Sequence, residues 1–130
     1  MNKESPQSEY LVLSRGKWDK NVSQEDIEFA IGKFYQWYEQ NLKDGRMKPG
    51  SRLSTDAAVV SKSGIVTDGP FGESKEIVGG YWFIVARSLR EAAELAAQNP
   101  CARNGLTFEI RPLEAARASV YNVSHETPAS

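Results

Sequence analysis

One segment, Gly80-Tyr81-Trp82-Phe83-Ile84-Val85-Ala86, constrains the fold more than any other. Its aromatic and β-branched residues favour an extended chain. Successive side chains of a strand point to opposite faces, so Tyr81, Phe83 and Val85 share one side and Trp82, Ile84 and Ala86 the other. Both sets are apolar. Such a strand needs cover on both faces and belongs inside a sheet with a layer on each side.

The rest of the chain supplies one of those layers. Residues 10–15 read as a strand closed by Gly16. Ser23 is placed to cap a helix, with Glu25 and Asp26 in its first turn and Val22 and Ile27 as a hydrophobic staple. Ile27, Ala30, Ile31, Phe34, Tyr38 and Leu42 then recur at helical spacing, and Gly45 is suited to end the helix. Phe29, Tyr35 and Trp37 lie off that stripe and widen the buried face or meet a partner. Short β segments follow at 47–53, 57–61 and 65–67, the last two flanking a tight turn at Lys62-Ser63-Gly64. Beyond the central strand, Ser88-Leu89-Arg90-Glu91 is a capping box. It opens a second helix that presents Leu89, Ala92, Ala93 and Ala96 on one side and stops near Asn99-Pro100. Asn104-Gly105 makes a turn, and 106–111 form the last strand, ended by Pro112.

Without the hairpin the order is β-α-β twice. That is the split βαβ arrangement of a ferredoxin-like α+β domain with an antiparallel sheet and an inserted β-hairpin. Two helices cover one face, and a second copy of the sheet most simply covers the other, so a homodimer through the sheet face is expected. The domain spans 10–113, between a polar, disordered N-terminal segment (1–9) and a polar C-terminal tail (114–130).

Composition removes several function classes. Sixteen basic and 17 acidic residues leave a formal charge of -1, and no basic stripe offers the counterion release behind direct nucleic-acid binding. Apolar runs are too short for a membrane span, and Met1-Asn2-Lys3-Glu4-Ser5-Pro6 has no apolar signal core. Cys101 is the sole cysteine, which excludes an internal disulfide and points to a reducing cytoplasm. With one cysteine and one histidine (His125, in the tail) a zinc site lacks its usual ligands. A Gly-rich phosphate loop is also missing, and no cofactor is expected.

Candidate chemistry concentrates in Thr67-Asp68-Gly69-Pro70-Phe71-Gly72-Glu73-Ser74-Lys75-Glu76. Asp68, beside a Gly-Pro turn, suits a general base or a group that orients a ligand hydroxyl or amine. The competing role is to accept hydrogen bonds from the amides that follow it. Glu73 and Lys75 fall on one side of an extended segment, as a pocket pair or an exposed ion pair. Tyr81 is a further acid–base candidate, and Gly79-Gly80 implies a bulge or a close backbone approach. Arg15, Trp18 and Arg52 form a second group at strand ends, the arginines suited to an anion and Trp18 to stacking on a flat ligand or capping the core.

The run Asp68-Gly69-Pro70-Phe71, then Glu73-Ser74-Lys75-Glu76 and Gly79-Gly80-Tyr81, resembles the YCII-related family, in its branch named for the Asp-Gly-Pro-Phe motif. The similarity continues through the Ala-rich helix, Asn99-Pro100 and Glu109-Ile110-Arg111-Pro112. The resemblance implies a ferredoxin-like fold paired into a dimeric α/β barrel, in a bacterial cytoplasmic protein. It also implies an association with sigma factors of the extracytoplasmic-function type. A His-Asp pair proposed for parts of the family has no counterpart here, because His125 lies in the tail. The expected role is binding of a small organic ligand by a ligand-sensing or accessory protein. The alternatives are a lyase or isomerase with Asp68 as acid/base, and a dimeric scaffold without ligand.

Overall fold

The doubly apolar segment is the inner spine of a four-stranded sheet. The computed structural model describes residues 6–67 and 77–128. They form β1 (Ser8–Arg15), α1 (Gln24–Lys43), β2 (Met47–Arg52), β3 (Val59–Ser61), β4 (Gly64–Val66), β5 (Val78–Ala86), α2 (Leu89–Ala96) and β6 (Thr107–Pro112). The main sheet runs β2-β5-β1-β6 with every pairing antiparallel. This is the strand order of a ferredoxin-like α+β fold. β3 and β4 make a separate hairpin, with Ser61 opposite Gly64 across the turn. β1 takes in Ser8 and Glu9, which pair with Ala86 and Val85, so the first strand starts inside the segment the sequence assigns to a disordered N-terminus.

Local chemistry sets the element ends. Ser23 Oγ accepts from the Asp26 N–H at 3.1 Å and caps α1. At the other end Gly45 is left-handed (φ 76°); its N–H reaches Leu42 O and that of Arg46 reaches Asn41 O, a Schellman closure. Ser88 Oγ accepts from Glu91 N–H, but Glu91 returns its carboxylate to Arg87 N–H instead of Ser88. The capping box therefore closes one residue early. In β2 the register slips between Lys48 and Ser51, leaving Pro49 and Gly50 as a bulge against β5. Leu89, expected on the buried side of α2, is exposed at the first position of the helix.

The core lies between the helices and one sheet face. Val12 and Ile84 are fully buried at its centre, with Tyr10, Met47, Trp82, Ala86, Ala92 and Ala96 around them. α1 covers this face shallowly. Among its residues only Ala30 and Asn41 are buried, while Phe34, Trp37, Tyr38 and Leu42 are half-buried against the core. Trp37 thus widens the packed face, whereas Phe29 is exposed beneath the Lys33 ammonium. The opposite sheet face carries Leu11, Leu13, Tyr81, Phe83 and Val85, all half-buried, with ion pairs at its margins: Lys48–Glu9 on one side, and Arg15 and Arg111 on Glu109 on the other.

Candidate functional site: a cleft between the first helix and the sheet

The shallow seat of α1 leaves a cleft of about 900 Å³ at the end of the sheet where β1 and β2 finish and β5 and β6 begin. Among the described residues, Ser14, Trp82 and Phe108 form its floor and Ile31, Phe34 and Tyr35 of α1 form one wall. Gly16 to Trp18 after β1, Arg52 to Thr55 with Ala57 after β2, Ile77 to Gly79, Cys101 and Leu106 complete it. The walls are mainly apolar and aromatic, the usual lining of a small-molecule site. Trp82 meets Phe34 at 5.2 Å and Phe108 at 5.9 Å between ring centroids.

Arg52 is one of two cationic side chains, with Lys17, among the described lining residues. Its backbone pairs with Gly80, and its guanidinium turns back over the β5 main chain. A Cβ on Gly79 would stand 3.1 Å from one guanidinium nitrogen, and a Cβ on Gly80 would stand 3.2 Å from the other. It would also stand 2.9 Å from Ser51 O. The two glycines therefore clear a seat for the Arg52 side chain. The register also slips here, so Gly79 is a bulged residue between the partners of Ser14 and Arg15.

Cys101 is buried, with Sγ 3.7 Å from Ala30 O. Burial pushes its thiol pKa up, and the positive charge of Arg52 pulls it part of the way back. The thiol accordingly stays protonated near neutral pH and is a poor nucleophile. Among the described residues, no group of three His, Cys, Asp or Glu could hold a metal ion. No helix there is long and apolar enough to cross a membrane.

The expected site residues separate into three sets. Trp18 and Arg52 both line the cleft. Arg15 and Tyr81 stand on the far face of the sheet, where Arg15 pairs with Glu109 at 3.3 Å and Tyr81 packs edge-on to Phe83. Asp68, Glu73 and Lys75 lie outside the described residues, as does the Asp-Gly-Pro-Phe motif. Residues not singled out beforehand as ligand contacts include Ser14, Lys17, Phe34, Cys101 and Phe108. Ser14 carried a readable signal, as the one buried polar residue on the Ser8, Tyr10, Val12, Ser14 side of β1. Cys101 and Phe108 join the cleft only through tertiary contact.

Against known proteins, the YCII-related domain matches residues 9–115. The chain is also similar to an uncharacterised protein of Rhizobium meliloti (strain 1021), 33% identical over 97 residues. That alignment covers 70% of this chain and 78% of the relative.

Proposed function

The chain belongs to the YCII-related family, and we propose that it binds a small organic molecule in the cleft beside α1, as a ligand-sensing or accessory protein. The observation that carries this reading is the composition of the lining. It combines aromatic walls with a single seated guanidinium. Its titratable side chains among the described residues are Lys17, Tyr35, Arg52 and Cys101. No histidine or carboxylate stands among them, and the one thiol is held in its protonated form. Binding groups are present. The lyase or isomerase alternative rests on Asp68. For the accessory role, the partner suggested by the family resemblance is a sigma factor, and the lone free thiol suits the cytoplasm.

A thermal-shift screen of small organic molecules tests the reading. A ligand that binds only the native state at a hundredfold excess over its Kd stabilises by about 2.7 kcal/mol, which is roughly 10 °C for a chain of this size. Leu53 is half-exposed at the cleft mouth, so Leu53→Trp should fill the space without disturbing the core. Hits are expected to lose their effect in that variant. A screen without stabilisers, or with hits indifferent to Leu53→Trp, would overturn the proposal.

We further propose that a second copy covers the open sheet face. Leu11, Leu13, Tyr81, Phe83 and Val85 make one apolar strip between charged margins, the pattern of an interface core with a polar rim. Sedimentation equilibrium at tens of micromolar should give the mass of a dimer. Phe83→Glu, which puts a charge at the centre of the strip, should give 14.4 kDa particles with native circular dichroism. A wild-type monomer would refute the pairing.

A further inference from the structure

Resting on the cleft reading, we propose a ligand class: organic monocarboxylates with a flat, unsaturated ring, the carboxylate on Arg52 and the ring against Phe34, Trp82 and Phe108. Three observations lead there. The first is charge. Among the described lining residues Lys17 and Arg52 are cationic and none is anionic, so this part of the lining presents one sign of charge to an entering molecule.

The second is the state of Arg52. No hydrogen bond or ion pair engages its guanidinium among the described residues, while the missing side chains of Gly79 and Gly80 let it lie against β5. A planar fork resting on β5 with donors free among the described residues matches a carboxylate in bidentate fashion. A phosphate dianion would bring a second charge into largely apolar surroundings, where among the described lining residues only the exposed Lys17 could answer it. With Arg52 the cation beside the ring surfaces, a monoanion suits these surroundings better.

The third is shape. The floor and wall present aromatic rings, with Trp82 5.2 Å from Phe34 and 5.9 Å from Phe108 between centroids. Aromatic surfaces favour offset-stacked or edge-on contact with another ring over contact with a flexible chain. Gly79 is the specificity element in this scheme, because a Cβ there would stand 3.1 Å from the guanidinium and make it shift by a few tenths of an ångström.

Binding to the full-length protein is measured by calorimetry with 2-naphthoate, its neutral analogue 2-naphthamide, cyclohexanecarboxylate and inorganic phosphate. We expect 2-naphthoate to bind best and the amide at least tenfold more weakly. Arg52→Gln should weaken 2-naphthoate about 10- to 100-fold, the usual worth of hydrogen bonds to a charged group, and leave 2-naphthamide unchanged. Gly79→Ala should weaken only the carboxylates, which separates loss of the seat from loss of the cleft. Arg52 is exposed, so an unaltered melting point in the ligand-free Arg52→Gln protein is the folding control. If 2-naphthamide binds as well as 2-naphthoate, or Arg52→Gln changes neither, the anion assignment is wrong while the cleft reading stands. If phosphate or the saturated ring binds best, the ligand class is wrong. If no probe binds and Leu53→Trp alters nothing in the wider screen, the cleft reading itself has failed.

Discussion

Gly50→Ala is expected to destabilise the protein by on the order of 3 kcal/mol, the upper range for forcing extra volume into a packed site. An added Cβ would stand 1.9 Å from Tyr81 O and 2.7 Å from Trp82 Cα. Both are main-chain atoms of the central strand, and neither can swing aside as a flexible side chain would. Relief requires β2 to move away from β5. That movement would also lengthen the 3.3 Å hydrogen bond from Gly50 N–H to the Tyr38 hydroxyl. A loss of roughly 10 °C in melting temperature follows for a domain of this length. Gly32→Ala is the matched control. Gly32 lies on the exposed side of α1 with nothing within 4 Å of its Cβ position, so alanine there should stabilise by about 0.5–1 kcal/mol. Calorimetric melting of the two variants checks both signs. Equal effects would show that the bulge at Gly50 tolerates a side chain.

Trp82→Ala should cost about 3–5 kcal/mol, as large aromatic truncations in cores do. The indole packs against Phe34, Tyr38 and Phe108 at centroid distances of 5.2, 5.8 and 5.9 Å. It is the largest group joining α1 to the sheet, so its loss opens a void at the middle of the core. Trp82→Phe separates volume from polarity. The buried Trp82 Nε1–H has no acceptor among the described residues, and an unsatisfied buried donor is itself destabilising. Phenylalanine removes that donor along with some volume, so the net cost should fall to about 1 kcal/mol. Chemical denaturation with linear extrapolation distinguishes the two. A phenylalanine variant as unstable as the alanine variant would mean that shape alone governs the site.

The fold was readable where a local rule acts within one segment. The alternation along 80–86, the Ser23 and Ser88 caps, the Gly45 stop and the turn before Gly64 each draw on neighbours a few residues away. Their order then selects the split βαβ topology. The cleft was readable only in part, because facing depends on strand parity and pairing. Arg15 and Arg52 both stand at strand ends, yet alternation along β1 and its pairing with β6 send Arg15 to Glu109 on the open face. Arg52 is instead turned inward by the space above Gly79 and Gly80. The glycine pair signalled a close approach, but nothing nearby in sequence named an arginine some 27 residues earlier as the approaching group. Cys101 and Leu106 reach the cleft from the segment after α2, a contact with no counterpart in local periodicity.

The kink at Pro49 and Gly50 also bears on how copies of this domain can meet. β2 is an outer strand of the sheet, and a neighbour seeking to extend the ladder there would find no amide proton at Pro49 and an uneven rail at Gly50. Natural sheets use such irregularities to resist fibre-like accretion. Along β2, then, growth by strand addition is obstructed, and stacking face upon face is the easier mode of association.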